Sequence, residues 1–156
     1  MTTQVYAIWQ KLKDKPLGKR VFGIAFGLKA PYFRTIHARY IDIRPNYAEV
    51  VVPKRWSVHN HLGTVHAIAV CNGLEAAMGV LAEATVPANK RWIPKGMDVA
   101  YTAKSTSDIT CTAETDPEQW TADEPDLPVR VTARRADGVV VAEGVIRLWV
   151  TEKPQR

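Results

Sequence analysis

The segment from His59 to Glu83 constrains the fold more than any other part of the chain. Nearly every residue from Val65 to Leu81 is small or apolar, so no wide polar face remains. A helix of this composition has to be covered on most of its sides. Residues 64 to 83 would span roughly 30 Å as a helix, about the length of a small domain. The sequence therefore predicts one long core helix around which the other elements pack.

Three polar side chains interrupt this apolar run: His66, Asn72 and Glu75. A carboxylate moved out of water without partners costs at least several kcal/mol, so Glu75 is expected to be paired, partly hydrated or retained for chemistry. His66 and Glu75 are nine residues apart, which places them on opposite faces of a helix and about 13 Å apart along its axis. A site that uses both residues therefore requires a second copy of the chain, related by a two-fold axis.

Length and cysteine content indicate one domain in a reducing compartment. The 156 residues fit a single domain, with residues 1–30 as an N-terminal helical extension. The two cysteines, Cys71 and Cys111, are too few for a disulfide framework and favour the cytoplasm. The apolar run from Val21 to Leu28 is short for a signal peptide. Polar residues inside the core helix argue against an integral membrane segment.

The charge distribution is uneven along the chain. Residues 1–55 contain eleven Lys or Arg against three Asp or Glu, which indicates an anionic partner or a solvated basic face. The sequence has neither a zinc-ligand spacing nor a strand with aromatic residues between basic ones, so nucleic acid is not the expected partner. A small molecule that carries phosphate is at least as good a candidate for the basic half.

Two helices are predicted at the start of the chain. Apolar residues recur at helical spacing within residues 3–14, and Asp14 before Pro16 resembles the cap and first turn of a second helix that ends near Lys29. Trp9 and Phe22 are interpreted as packing residues. A lysine-rich amphipathic pair of helices that lies on a membrane surface is the alternative.

Six strands are predicted in the rest of the chain. Two of them, at 35–44 and 47–52, form a hairpin around Arg44-Pro45-Asn46. After the helix, alternation marks strands around 97–103, 109–113, 129–133 and 139–150, the last two joined at Asp137-Gly138. Residues 116–128 are predicted to form a surface excursion. Two strands, one buried helix and four strands predict an α+β fold in which an antiparallel sheet wraps around a single helix.

The element order resembles the hotdog fold, and the segment from Asn60 to Glu75 resembles acyl-CoA thioesterases of the phenylacetyl-CoA thioesterase branch. The family pattern has an Asn, a Gly three residues on, a His six on and an Asp or Glu fifteen on. Asn60, Gly63, His66 and Glu75 match it in type and spacing. Ala67-Ile68 stands where the family usually has two glycines.

The resemblance implies hydrolysis of an acyl-CoA thioester at a dimer interface, without a cofactor, in a homodimer or a dimer of dimers. Glu75 would attack the thioester or activate water, while Asn60 and His66 orient water and ester. Free N–H groups around residues 65–67 would stabilise the oxyanion, with Ala67 and Asn72 in contact with the substrate. The coenzyme A phosphates would be held by basic side chains, for which the candidates are Lys95, Lys104, Arg134 and Arg135.

Other functions remain open from the sequence. A metal site could use His59, His61, His66 and Glu75, although the opposite faces of the last two argue against a set within one chain. A Cys71 nucleophile with His66 as base is disfavoured because five residues turn a helix by about 140°. A hydroxyacyl-thioester dehydratase of the hotdog fold, or a non-catalytic module that binds acyl-CoA, would retain the same cleft.

Overall fold

The first two helices bury an aromatic cluster at one edge of the fold. The computed structural model describes residues 3–154 and begins with α1 (Gln4–Leu12) and α2 (Gly18–Lys29). Trp9 and Phe22 are both 1% exposed, and their rings meet edge to face at 5.1 Å. The predicted start of the second helix at Asp14-Pro16 is wrong. The chain turns at Leu17, which has φ 58°, and the helix begins one residue later.

A short 3₁₀ helix, Pro31–Ile36, leads from α2 into the sheet. The prediction that the first strand begins at residue 35 is therefore wrong. Proline starts this helix, and His37 has a left-handed backbone, at φ 51°, so the extended chain begins only after His37. The six strands are β1 (Arg39–Arg44), β2 (Tyr47–Val52), β3 (Lys90–Tyr101), β4 (Ile109–Glu114), β5 (Asp126–Arg135) and β6 (Val140–Glu152).

The six strands form one antiparallel sheet in the order β1-β2-β4-β5-β6-β3. The predicted number of strands is confirmed. β1 and β3 are the two edges; α2 packs beside β1. The predicted surface excursion contains a turn of 3₁₀ helix, Pro117–Trp120, and Trp120 is buried at 3% exposure. The excursion therefore covers part of the core.

The core helix α3 (Ala67–Thr85) packs across the sheet, mainly against β2 and β4. Among residues 3–154 it is the only helix long and apolar enough to cross a membrane, but most of it is buried inside the protein, as expected of a core helix. Gly73 permits its close approach to the sheet. A β-carbon built there would lie 2.5 Å from Val52 Cγ2 and 2.8 Å from Cys111 Sγ.

The helix leaves the inner face of the sheet partly uncovered at the edge strand β3. Met97 and Tyr101 of β3 lie opposite Ile146 and Ala142 of β6, both buried, so these β3 residues share the core-facing side of the sheet. Met97 is nevertheless 39% exposed and Tyr101 55%. Because α3 packs mainly against β2 and β4, part of the inner face of β3 is open to solvent in the single chain.

Candidate active site

The loop before α3 is closed by the side chain of Asn60. Its Oδ1 accepts hydrogen bonds from the backbone N–H groups of Leu62 (3.0 Å) and Thr64 (3.2 Å), and its Nδ2 lies 2.9 Å from Thr64 Oγ1. Gly63 has φ +71°, a conformation that side chains with a β-carbon rarely adopt. Asn60 and Gly63 therefore build the turn that delivers the chain to the start of the helix.

His66 is the cap of α3 instead of part of its first turn. The predicted helix start at Thr64 is wrong because His66 has extended backbone angles, φ −60° and ψ 139°, and its Nδ1 accepts a hydrogen bond from Ile68 N–H at 3.0 Å. An Nδ1 that accepts is unprotonated, so the neutral ring carries its proton on Nε2. The side chain can therefore stabilise the helix end and donate from Nε2 at the same time.

The backbone N–H groups at this end of α3 are only partly available. Val65 N–H donates to Ser105 O at 2.9 Å, and His66 N–H donates to Val58 O at 2.8 Å. Among the described residues, no acceptor faces the N–H groups of Ala67 and Ala69. Of the residues predicted to stabilise an oxyanion, Ala67 alone keeps a free donor, and Ala69 supplies a second that the sequence analysis did not include.

A cavity of about 220 Å³ lies beside the capped end of α3. His59 Nε2 and Asn72 Oδ1 are buried and have no hydrogen-bond partner within residues 3–154, and Asn72 Nδ2 is 3.4 Å from Thr35 Oγ1. Buried polar atoms of this kind normally bind water or a ligand. The residues that line the cavity are Tyr32, Thr35, Ile36, Ser57, Val58, His59, His66, Ile68, Ala69 and Asn72.

Glu75 lies on the one face of α3 that remains accessible. Ile68, Cys71 and Glu75 follow one another at positions i, i+3 and i+7, so they share a helix face. All three are at least partly exposed, whereas Leu74 and Ala76 beside Glu75 are fully buried. Within residues 3–154, no hydrogen bond or ion pair engages the Glu75 carboxylate.

Tyr101 connects this helix face to β3. Its Oη lies 3.2 Å from Cys71 Sγ, and this contact raises the pKa of Tyr101 above its ordinary value, with desolvation as a smaller cause. The phenol therefore stays protonated at neutral pH. Cys111, the other cysteine, is fully buried, and burial raises the pKa of its thiol, which makes it unreactive.

The four basic residues predicted to bind coenzyme A do not form one cluster. Lys95 lies 3.7 Å from Asp126 Oδ2, at the start of β5, and over the ring of Trp149. Arg134 and Arg135 lie at the other end of β5. At the rise of an extended chain, this end is about 30 Å from Asp126. Arg135 is paired with Asp137, and its Nη1 lies 3.4 Å from the carbonyl oxygen of Lys104. Lys104 and Arg134 have no ion-pair partner in the described part of the chain.

The structure thus divides the predicted site residues into two groups. His66 and Asn72 meet at the cavity by the helix cap, with Asn60 and Gly63 in the preceding turn. Glu75 lies two helical turns further on, beside Cys71 and β3. Sequence reasoning did not assign a substrate role to Thr35, Ala69 or Tyr101, because only the fold brings those segments to the helix. Among residues 3–154, no group of three or more His, Cys, Asp or Glu is placed to hold a metal ion.

Comparison with known proteins identifies the family. A family model described as Domain of unknown function (DUF4442) matches residues 18–150, which is most of the chain. The chain belongs to the DUF4442 family. The protein solved as genomics target APC5556 is 39% identical, with 96% of this chain and 98% of that chain covered and a TM-score of 0.84. Among curated proteins, none matches this sequence.

More distant structures identify the fold. PA5026 of Pseudomonas aeruginosa, described as a protein of unknown function and probable thioesterase, is 20% identical, with 81% of this chain and 91% of that chain covered and a TM-score of 0.73. A thioesterase family protein of Silicibacter pomeroyi is 19% identical, with 83% and 96% covered and a TM-score of 0.68. The predicted hotdog fold of this DUF4442 protein is confirmed.

Proposed function

We propose that this DUF4442 protein hydrolyses an acyl-CoA thioester and that Glu75 is the catalytic carboxylate. The observation that carries the proposal is a partly exposed carboxylate without a hydrogen-bond or ion-pair partner among residues 3–154, on a helix whose side chains are mostly apolar and buried. Such a group forms no hydrogen bond or ion pair within the described chain, so a chemical role accounts for it better than a structural one. Its distance in sequence from His66 matches the thioesterase pattern.

The reaction needs a base or a nucleophile, and Glu75 can serve as either. As a base, the carboxylate takes a proton from water while the water oxygen attacks the thioester carbonyl. The tetrahedral intermediate then collapses, the C–S bond breaks, and the thiolate leaves with a proton. As a nucleophile, Glu75 attacks the carbonyl directly, the C–S bond breaks to release the thiol and leave an anhydride, and water then hydrolyses this anhydride to free Glu75 and the carboxylic acid. Both routes yield a carboxylic acid and a free thiol.

The capped end of α3 supplies the other half of the site. In this proposal, the thioester oxygen accepts hydrogen bonds from the free N–H groups of Ala67 and Ala69, where the helix dipole also favours negative charge. His66 Nε2 donates to the ester or to the attacking water. Asn60 acts indirectly, by holding the turn, because its side-chain oxygen already accepts two backbone hydrogen bonds. Asn72 and His59 line the adjacent cavity and hold water or substrate there.

We infer that Glu75 of one chain and His66 of a second chain form each site. Two features support the pairing of two copies through β3. This strand is a twelve-residue edge whose outer backbone groups have no partner in the described chain, and its inner face exposes Met97 and Tyr101. A second copy related by a two-fold axis would cover this face together with the Glu75 side of α3.

The phosphates of coenzyme A would bind near the end of β5. Lys104 and Arg134 carry the free cations there, whereas Lys95 and Arg135 already pair with carboxylates. Exchange of Lys104 and Arg134 for serine should raise KM for an acyl-CoA substrate and leave KM for the matching acyl-pantetheine unchanged, because that analogue lacks the phosphates of the nucleotide.

A thiol-release assay with a panel of acyl-CoA and acyl-pantetheine thioesters tests the activity. Stoichiometric appearance of free thiol and carboxylic acid, lost in Glu75→Gln, supports the proposed hydrolysis. Binding of acyl-CoA without thiol release would favour a non-catalytic module. Loss of water from a hydroxyacyl thioester, with the thioester intact, would favour a dehydratase. Either of these results overturns hydrolysis as the function.

A further inference from the structure

Helix α2 has an apolar outer face that nothing among residues 3–154 covers. Leu17 lies in the turn just before the helix, and Val21, Ile24 and Leu28 follow it at helical spacing, so the last three share one side of the helix. Their exposed fractions are 72%, 49%, 60% and 67%. We call these four side chains the α2 stripe. The opposite side of α2 is apolar as well, since Phe22 is buried against the aromatic cluster.

A helix with two apolar sides differs from an ordinary surface helix. On a water-exposed face of a globular protein, charged and polar residues normally occupy the positions that the α2 stripe holds. The burial of Phe22 explains why α2 is attached to the protein, but it does not explain the stripe. A contiguous exposed apolar patch of this kind marks a surface that binds something.

The charges around the stripe identify what it would bind. Lys13 and Lys15 precede it, Arg20 flanks it and Lys29 ends the helix; all four are exposed and have no ion-pair partner in the described part of the chain. The helix itself contains no acidic residue. Asp14 is the only carboxylate among residues 3–41. Apolar side chains surrounded by unpaired cations match the interface of an anionic lipid bilayer, where the apolar groups enter the acyl boundary and the cations meet the headgroups.

A cleft beside the stripe strengthens this assignment. It has a volume of about 760 Å³ between α2 and the start of β1. Its cationic side chains are Lys19, Arg20, Arg34, Arg39 and Arg55; Arg39 is paired with Asp108, and the other four have no ion-pair partner in the described part of the chain. A second copy of this chain is a poor occupant of the same surface, because a symmetric contact would bring these cations against each other.

We propose that the α2 stripe docks the protein on anionic membrane surfaces, with the cationic cleft over the lipid headgroups. The helix lies parallel to the bilayer and does not cross it, since its twelve residues are too short to span the hydrocarbon core. The proposal concerns the location of the protein and is independent of the proposed hydrolysis.

Vesicle flotation with the full-length protein tests the docking. The protein should float with vesicles of phosphatidylcholine and phosphatidylglycerol and stay behind with phosphatidylcholine alone, and added salt should release it. The double variant Val21→Glu/Ile24→Glu should bind at least about tenfold more weakly, because two apolar anchors are replaced by charges that anionic lipid repels. Each exchange of Lys13 or Lys15 for serine should weaken binding about fivefold.

Val139→Glu is the matched control. Val139 is 41% exposed, close to the 49% of Val21, and it lies at the β5–β6 turn, several strands away from β1 in the sheet order. This variant should bind vesicles like the parent. That result would show that an added negative charge elsewhere on the surface does not by itself weaken vesicle binding. Circular dichroism and thermal melts establish that each variant is folded.

Three results would overturn the docking. They are equal binding of the parent and the Val21→Glu/Ile24→Glu variant, equal binding to both vesicle types, and no binding to either type. A fall in oligomer size on mutation of the stripe, measured by light scattering without lipid, would instead assign the stripe to a protein contact.

Discussion

Glu75 is the residue on which the proposed chemistry depends most. Glu75→Gln preserves the size of the side chain and its place on the helix, but an amide neither accepts a proton from water nor attacks a carbonyl. We expect kcat for thioester hydrolysis to fall at least about a hundredfold, with thermal stability unchanged or raised, since the replaced charge has no partner in the described chain. Activity within about threefold of the parent would mean that the activation free energy changes by well under about 1 kcal/mol. This result would contradict the catalytic role of Glu75.

His66 combines two functions that a pair of substitutions can separate. In His66→Asn, the asparagine side chain still caps α3, so stability should be close to that of the parent. In His66→Ala the cap is lost, and the free energy of unfolding should fall by about 1 kcal/mol. Both variants lose the Nε2 donor, so thioester hydrolysis should fall to the same extent. Denaturant melts measure the stability of the two variants, and initial rates measure their hydrolysis. Full activity in His66→Asn would show that His66 acts only as a helix cap.

Residue type and spacing predict candidate positions, but they do not predict the contacts that each side chain makes in the fold. The spacing of Asn60, Gly63, His66 and Glu75 gave the candidate set directly. The turn that Asn60 closes and the cap that His66 forms depend on backbone angles just before the helix, which short-range patterns specify weakly. Tyr101 reaches Cys71 only after β3 has paired with β6, so its place in the site depends on long-range topology.

At the scale of elements, the contact between α3 and the sheet is tightest at Gly73. A methyl group there would clash with Val52 of β2 and Cys111 of β4. Both side chains are fully buried, so they cannot move away into solvent. Gly73→Ala should therefore lower the free energy of unfolding by about 1–3 kcal/mol despite the higher helix propensity of alanine. Gly79→Ala is the control, because its β-carbon would have only an ordinary contact, 3.8 Å from Trp92. A more stable Gly73→Ala variant would show that the helix can move away from the sheet.

The sequence located β2, β4 and β6 more accurately than the N-terminal elements or β3, which was predicted around residues 97–103 but begins at Lys90. β2 and β4 alternate strictly with one face buried, and β6 does so from Ile146 to Val150, so periodicity locates these strands to within about two residues. The start of α2 was misplaced because Asp14 and Pro16 give a helix signal, whereas the chain uses Leu17 in a left-handed turn. β1 was extended too far because Thr35 and Ile36 favour strands in isolation but lie in a 3₁₀ helix packed against α2.

For the whole molecule, the exposed inner face of β3 and the accessible face of α3 predict association of two chains. Light scattering at micromolar concentration should give at least the mass of a dimer. Met97→Glu should shift the protein toward monomer, because it places a charge on the face that the second copy covers. Val139→Glu, at a turn away from that face, should leave the mass unchanged. A monodisperse monomer of the parent chain contradicts the shared site.

Complementation between two inactive variants tests the shared site itself. His66→Asn and Glu75→Gln each damage one half of the site while preserving the helix. In a mixed dimer with sites shared across the two-fold axis, one site carries both substitutions and the other carries neither. Random reassortment gives mixed dimers in about half of the pool, so about a quarter of the parental activity should return. A site within one chain would be damaged in every subunit, so mixing would restore nothing. A mass tag on one variant establishes that mixed dimers form, and absence of activity in those dimers would place Glu75 and His66 in separate sites.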